Sequence, residues 1–173
     1  MSQQTKNNMK KIYLEKIVLN MGVGKSGEAV EVAKNALQQI SGKKPSSRNA
    51  KETYRDWGVR KGEPIGAAVT IRNDEAKALL KRLFEAKGNQ AKAKSFDNFG
   101  NYSFGMKEHI DIPGVKYDPQ IGILGLDIAV ILSRPGYNIR VRSKHKAKVG
   151  KSHIITKKEA QDFLTEEFGV QVI

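Results

Sequence analysis

The sequence predicts an α+β domain with a largely antiparallel sheet and helices packed on one face. Two observations support this fold class: two helical patterns follow strand patterns early in the chain, and later strand patterns cluster without intervening helices. The 173 residues are the length of one typical domain, so we predict a single domain over residues 1–173. The sheet face without helices would then be free to bind a ligand.

The spacing of apolar residues predicts a strand followed by a helix near the start of the chain. Aliphatic and β-branched residues predict a strand over Ile12–Asn20. After a glycine-rich turn, apolar residues recur at three- and four-residue spacing from Ser26 and stop before Gly42. This spacing predicts an amphipathic helix directly after the strand.

A second strand and helix follow. Apolar residues alternate over Pro64–Arg72, which predicts a strand whose Thr70 and Arg72 side chains point outward. Asn73 is a favourable N-cap for a helix that ends before Gly88. We therefore expect Thr70 and Arg72 on the uncovered face of the sheet.

The second half of the chain contains most of the short strand patterns. Strands are predicted at Asn101–Met106, Glu108–Ile112 and Gly125–Ser133, and a polar loop at Gln90–Ser95. The Arg-Pro-Gly sequence at 134–136 predicts a turn back into Tyr137–Ser143. Thr156 and Glu159 have the spacing of a capping box for a last helix.

The charge balance indicates a polyanionic partner. There are 31 Lys and Arg against 18 Asp and Glu, and the net charge is +13. Such an excess attracts nucleic acid or an anionic membrane surface. The longest apolar stretch, Ile123–Leu132, is far shorter than a membrane span and contains Asp127, so we predict no membrane partner. Met1–Lys11 is polar and lacks the apolar segment of a secretory signal, so we expect a cytoplasmic protein.

Residues 22–27 match the G-x-G-x-x-G pattern between a strand and a helix. A dinucleotide site also needs a second parallel apolar strand, but the polar, basic segment 43–48 follows the helix. A P-loop is excluded because Leu19 stands where its first glycine would be. The glycines could simply form a turn. We favour a turn whose backbone amides, with Asn20 and Lys25, meet a phosphate backbone.

The sequence contains no arrangement of residues typical of catalysis. Cysteine is absent, which excludes thiolate nucleophiles and sulfur-ligated zinc. The three histidines, 109, 145 and 153, lack metal-ligand spacing, and no nucleophile elbow is present. We therefore predict no enzyme activity, no cofactor and no metal site.

Two basic segments are candidates for RNA binding. The basic segment, residues 134–158, has nine Lys or Arg and no acidic residue, with glycine, tyrosine and histidine interleaved. A solvated face is the ordinary explanation of such a run. Its length and composition favour an arm that lies along RNA. The candidate rRNA contacts in it are Arg134, Arg140, Arg142, Lys144, Lys146, Lys148 and Lys151.

The second basic region, Lys43–Lys61, contains Trp57, the only tryptophan of the chain. An exposed ring at a loop tip could stack on RNA. The alternative is that Trp57 packs in the hydrophobic core.

Several motifs are similar to those of one family. They are IVLNMGVG at 17–24, ISGKKP at 40–45, RNAK at 48–51, RKGEPIG at 60–66, VTIR at 69–72, FDNFGNYSFG at 96–105, Glu108-His109 and YDP at 117–119. In order and spacing they resemble the 5S-rRNA-binding family of large-subunit ribosomal proteins, number five in that subunit. The segment after residue 136 resembles the archaeal and eukaryotic branch.

This resemblance implies a structural, non-catalytic ribosomal protein with that family's fold. It implies a place in the central protuberance, where the protein would hold 5S rRNA against the large-subunit rRNA beside a neighbouring 5S-binding ribosomal protein. It also implies contacts with peptidyl-site tRNA and with a small-subunit head protein across an intersubunit bridge.

The resemblance assigns two sets of residues by position. With Lys25 of the glycine turn added, the 5S rRNA set is Asn20, Gly22, Gly24, Lys25, Arg48, Asn49, Lys51, Thr70 and Arg72. The tRNA set lies in residues 54–61 and consists of Tyr54, Arg55, Trp57, Gly58, Arg60 and Lys61. Asn49 stands where relatives often carry glutamine or another polar residue, a departure that concerns one hydrogen bond and not the surface.

Two other functions remain open at this stage: a nicotinamide enzyme that uses the glycine turn, and a free-standing basic regulator of mRNA. Titrations with NAD and with 5S rRNA at fixed salt would distinguish them. We also expect residues 1–10 to be flexible.

Overall fold

The structure is a computed structural model that describes residues 7–115, 117–119 and 121–173. Its strands are β1 (Tyr13–Gly22), β2 (Ser46–Asn49), β3 (Pro64–Arg72), β4 (Gln90–Ala91), β5 (Tyr102–Met106), β6 (Leu126–Ser133) and β7 (Gln171–Val172). Its α-helices are α1 (Glu28–Ser41), α2 (Asn73–Ala86) and α3 (Lys157–Phe168). The expected flexibility of residues 1–6 lies outside the described residues; Asn8–Lys10 form a short 3-10 turn.

The main sheet has five strands in the order β2-β3-β1-β6-β5, and each neighbouring pair is antiparallel. Helices α1 and α2 pack against β3 and β1. A separate parallel pair joins β4 to β7. The predicted α+β fold with a largely antiparallel sheet is confirmed. None of the helices within the described ranges is long and apolar enough to cross a membrane.

The core lies between the sheet and its helices. Ile17 of β1 is opposite Ile71 of β3 and Val130 of β6, and all three side chains are buried. Leu37 of α1 and Leu80 of α2 are also fully buried. Each such side chain contributes roughly 1.5–3 kcal/mol by leaving water. The alternating strand pattern and the helical spacing therefore place the apolar residues on one side of the sheet.

The capping box predicted for the last helix is confirmed. The Thr156 hydroxyl accepts a hydrogen bond from the Glu159 N–H, and the Glu159 carboxylate accepts one from the Thr156 N–H. The predicted N-cap of α2 is wrong by one residue. The cap position is Arg72, without a side-chain cap, and Asn73 is the first helical residue, with a positive φ of 61°.

Two predicted strands of the second half are not strands. His109–Asp111 form a 3-10 turn because the buried His109 ring bonds to the backbone of Leu124. Tyr137–Arg140 also form a 3-10 turn and no hairpin with β6. The predicted polar loop at 90–95 contains β4, because Ala91 is buried and pairs with Val172 of β7.

Candidate RNA-binding surface

The face of the main sheet opposite α1 and α2 carries polar side chains in register, together with the apolar Val18, Ala129 and Ile131. We call it the open face. One row across it contains Ser46, Ala68, Asn20 and Asp127, each directly opposite the next on neighbouring strands. Small and polar side chains fill this row, so the open face offers hydrogen-bonding groups on a backbone fixed by four strands.

Thr70 and Arg72 lie on the open face, as their alternation predicted. Thr70 is half-buried opposite Val18, and Arg72 is exposed opposite Lys16. Ala68 shares their face but is buried, because a methyl group is covered by its larger neighbours in the row. The sheet thus brings Asn20, Thr70 and Arg72 together on one side.

Lys16 and Asp127 are open-face residues that the sequence analysis missed. Lys16 lies two pleats from Asn20 on β1, and its Nζ is 3.4 Å from the Glu15 carboxylate. Asp127 is exposed on β6 opposite Asn20. Period-two alternation within each strand could have identified both, because they share the parity of Asn20 and Ala129.

The glycine turn after β1 is more constrained than the sequence predicted. The N–H groups of Val23 and Gly24 both donate to the Ile65 carbonyl at 3.0 Å, so these two amides are not free for a phosphate. Gly22, Gly24 and Lys25 are exposed. A Cβ at Gly22 would meet no atom within 4 Å, so packing within the chain does not require glycine there.

Close approach of strands does require glycine at one neighbouring position. A Cβ at Gly66 would lie 2.6 Å from the Met21 carbonyl oxygen. Gly66 also pairs with Gly22 of β1 and with Arg48 of β2. This contact holds the glycine turn against the strand that carries Thr70 and Arg72. The dinucleotide interpretation is excluded by topology, because β1 pairs only antiparallel with its neighbours β3 and β6.

The edge strand β2 presents the second group of predicted contacts. Arg48 and Asn49 are exposed, with a register shift between them, and Lys51 is exposed just after the strand. The Ser46 hydroxyl donates to the Ala68 carbonyl at 3.1 Å, which ties the edge to β3. The structure therefore places Arg48, Asn49 and Lys51 along the border of the open face.

Residues 54–61, the tip loop, form a turn that backbone hydrogen bonds close. Tyr54 and Val59 exchange two backbone hydrogen bonds of 2.9 and 3.1 Å. Gly58 has a φ of 64°, which glycine adopts at little cost. Trp57 is 73% exposed, and its ring lies 5.1 Å from the Tyr54 ring, centroid to centroid. Core packing of Trp57, the alternative left open by the sequence, is therefore wrong.

The tip loop also exposes its basic residues. Arg55, Arg60 and Lys61 are all exposed. The Lys61 N–H donates to the Thr53 hydroxyl at 3.0 Å, and the Arg60 N–H donates to the Glu63 carboxylate at 3.0 Å. The loop thus presents two neighbouring rings and three cations on a braced backbone.

The basic segment is anchored at its start and exposed along its middle. The buried Tyr137 hydroxyl donates to the His153 carbonyl at 3.2 Å and accepts from the Ile155 N–H at 2.9 Å. Arg140 is half-buried, with its guanidinium 4.9 Å from the Tyr137 ring centroid. The exposed basic side chains are those of Arg142, Lys144, Lys146, Lys148 and Lys151.

Arg134 differs from the other predicted rRNA contacts. Only 3% of it is exposed, and its guanidinium is 2.7 Å from the Glu159 carboxylate and 3.3 Å from the His153 carbonyl. Its Nε is buried without a hydrogen-bond partner among the described residues. The side chain is therefore committed to the start of α3 and is not presented to solvent.

Arg134 also affects the ionisation of its partner. Burial raises the pKa of the Glu159 carboxyl, but hydrogen bonds from the Thr156 backbone and from Arg134 outweigh that effect. The net pKa lies below its ordinary value of 4.5. Glu159 therefore remains charged and keeps both the cap and the ion pair at neutral pH.

Comparison with known proteins covers nearly the whole chain. Residues 7–60 match the family model described as ribosomal protein L5, and residues 64–171 match the model of that ribosomal family's C-terminus. The chain is 75% identical to the large ribosomal subunit protein uL5 of Nitrosopumilus maritimus, with 99% of each chain covered. The uL5 of Cenarchaeum symbiosum is 70% identical over 96% of this chain and 98% of its own.

A more distant archaeal relative, the uL5 of Pyrobaculum aerophilum, is 50% identical over 95% of this chain and 92% of its own. These relatives are archaeal proteins, in agreement with the resemblance of the segment after residue 136 to the archaeal and eukaryotic branch. The structure adds that β1, which leads into the glycine turn, has antiparallel neighbours and lacks the parallel βαβ unit of a Rossmann dinucleotide site. The chain therefore belongs to the ribosomal protein L5 family, and it is a structural ribosomal protein and not an enzyme.

Proposed function

We propose that this chain, a constituent of the large ribosomal subunit, binds 5S rRNA through the open face and its border. The observation that carries the proposal is the alignment of Asn20, Thr70 and Arg72 on a helix-free sheet face, with Arg48 and Lys51 along one edge. Cations supply affinity for phosphates, and the amide and hydroxyl groups fix the position of the RNA backbone.

The exposed glycines support the same surface. Because no atom of the chain lies where a Cβ of Gly22 would be, the absence of a side chain leaves room for something outside the chain. An RNA backbone can approach bare peptide groups closely there, with Lys25 beside it. Gly22 would thus contribute by having no side chain, whereas the φ of 76° at Gly24 favours glycine for the turn itself. Asn49 at the sheet border would add a hydrogen bond.

The basic segment extends the RNA contact beyond the sheet. Tyr137 anchors the start of this segment, and the exposed cations follow it along the chain. These cations would lie along the large-subunit rRNA, while the open face holds 5S rRNA. This arrangement fits the central protuberance that the family resemblance implies, beside a neighbouring 5S-binding ribosomal protein.

The tip loop is suited to a separate partner. Trp57 and Tyr54 offer two neighbouring rings, and three exposed cations lie on the same loop, outside the main sheet. Unpaired RNA bases stack on aromatic rings, and nearby cations bind the phosphates. We assign this loop to peptidyl-site tRNA. On the assembled ribosome, we also expect the protein to contact a small-subunit head protein across an intersubunit bridge.

Salt dependence of 5S rRNA binding tests the main proposal. If about five phosphates are neutralised, log affinity should fall against log salt with a slope of roughly −3.5 to −4.5. Arg72→Ala should reduce the magnitude of the slope by roughly 1, because it removes one phosphate contact. The control Lys81→Ala, on the exposed side of α2, should leave it unchanged.

Three outcomes would contradict the proposal. The first is a slope near zero, and the second is an equal effect of Arg72→Ala and Lys81→Ala. The third is binding of an mRNA fragment with no binding of 5S rRNA, which would support the alternative of a free-standing mRNA regulator.

A further inference from the structure

A pocket of about 360 Å³ lies outside the open face, between the turn at residues 96–101 and the basic segment. Its lining combines apolar and cationic side chains, from Phe99, Tyr137, Arg140, Lys148, Val149, Lys151 and Ile154. None of these described lining residues is acidic, and none belongs to the main sheet. A pocket of this volume is within the range of small-ligand sites, about 300–1,000 Å³.

Phe99 is held with its ring available at the edge of this pocket. One Asp97 carboxylate oxygen accepts from the Phe99 N–H at 2.9 Å and from the Asn101 N–H at 2.7 Å. The other accepts from the Asn101 side-chain amide at 2.8 Å. These bonds fix the turn, yet Phe99 itself is 55% exposed. An aromatic ring on a fixed turn is a stacking surface that loses little conformational entropy on binding.

The other aromatic ring of the pocket, that of Tyr137, already contacts side chains of the protein. Tyr137 is buried, with the Arg140 guanidinium over its ring and the His153 ring at its edge. A flat ligand would therefore stack on Phe99. Val149 and Ile154 give the ligand an apolar wall, and Lys148 and Lys151 are exposed beside it.

We propose that this pocket binds one unpaired nucleotide of RNA, with the base on Phe99 and the phosphates on Lys148 and Lys151. A flat base joined to negatively charged phosphates matches both the apolar wall and the cationic rim of the pocket. The basic segment continues the positive charge on either side, which suits the phosphodiester backbone of RNA more than a short acidic peptide. The inference rests on the proposed RNA-binding function and adds a site for single-stranded RNA.

The test uses the full-length protein and a short single-stranded ribonucleotide that carries one 2-aminopurine. Transfer of that base from its neighbours to Phe99 should change its fluorescence. Phe99→Ala should abolish the change on binding and weaken binding at least about fivefold, whereas Phe99→Trp should retain the affinity. Tyr117→Ala is the matched control, because Tyr117 is 58% exposed and lies outside the pocket. The same ribonucleotide with an abasic site should bind the wild type as weakly as the intact one binds Phe99→Ala.

Equal binding by Phe99→Ala and Tyr117→Ala would overturn the inference, as would full affinity for the abasic ribonucleotide. Preferential saturation of the pocket by a glutamate- and leucine-rich peptide would also overturn it. In each case, retained wild-type affinity for 5S rRNA in the same buffer would show that only this inference has failed. Failure of the wild-type protein to bind 5S rRNA would instead contradict the proposed function.

Discussion

The open face and the basic segment both present positive charge, but they hold it in different ways. On the open face, Lys16 and Arg72 lie opposite each other on strands whose register is fixed by backbone hydrogen bonds. In the basic segment, the backbone is irregular from residue 141 to 149, and order comes from side-chain anchors at its start. Arg134 and Tyr137 provide those anchors.

Because of this difference, substitutions on the open face should affect RNA binding, and substitutions of the anchors should affect stability. A side chain on the open face adds little to the core, so its loss should weaken RNA binding and leave folding intact. An anchor of the basic segment is buried, so its loss should destabilise the fold even though its charge resembles that of its exposed neighbours. The number of cations in a segment therefore does not show which of them meet RNA.

The largest effect expected from this comparison is that of Arg134→Ala. The variant loses hydrogen bonds to Glu159 and His153 and leaves a gap at the start of α3, which should cost about 2–3 kcal/mol of unfolding free energy. Thermal denaturation should show a decrease in Tm of roughly 5–10 °C. Arg142→Ala is the control, because its exposed side chain should change stability by less than about 0.5 kcal/mol. Equal stability of the two variants would refute the anchoring role.

Thr70→Ala tests the opposite prediction for the open face. Removing one hydroxyl contact should weaken 5S rRNA binding by about fivefold, or about 1 kcal/mol. The Tm should remain nearly unchanged, because Thr70 is half-buried on the polar side of the sheet. Filter binding and calorimetry measure the two quantities. A sharp decrease in Tm with intact binding by the folded protein would show that Thr70 serves the core.

The Glu159 carboxyl should give the anchor a smaller, pH-dependent contribution. Its pKa is lower in the folded protein than its ordinary value of 4.5. The stabilisation is therefore fully present above pH 4.5 and is lost as the pH falls through the folded-state pKa. Glu159→Gln should flatten the acid limb of stability, measured by urea unfolding between about pH 3 and 6. Glu166→Gln, an exposed change on the same helix, should retain the wild-type slope.

The smallest effect is expected in the tip loop. Shortening residues 54–61 should leave 5S rRNA affinity within about twofold, or roughly 0.4 kcal/mol, because the loop lies outside the open face. Retention of peptidyl-site tRNA on reconstituted ribosomes should decrease. Unchanged tRNA retention together with lower protein stability would assign the loop a structural role.

Hydrophobic periodicity was sufficient to predict the elements that frame the site. Alternation in Pro64–Arg72 predicted the outward side chains of β3, and the Thr156–Glu159 spacing predicted the start of α3. Both signals are local, because each residue's role depends on neighbours within a few positions. The uncovered face followed from the order of strands and helices.

The features that the sequence alone does not determine depend on distant contacts. Tyr137–Ser143 lacks a strand because the Tyr137 hydroxyl bonds to residues 153 and 155. The two-residue strand β4 exists only because the end of the chain returns to pair with it. Arg134 was grouped with exposed cations because composition carries no information about burial. Trp57 remained ambiguous until its surroundings were known, since a lone tryptophan suits a core and a loop tip equally.

The central claim is that the open face, and not the helical face, receives 5S rRNA. Amide chemical-shift mapping of the isotope-labelled protein, titrated with a 5S rRNA fragment, tests it most directly. We predict that the perturbed amides cluster in β1, β2 and β3, with Asn20, Thr70 and Arg72 among the largest changes. Perturbations concentrated on the exposed sides of α1 and α2, with β1 and β3 unchanged, would contradict the claim.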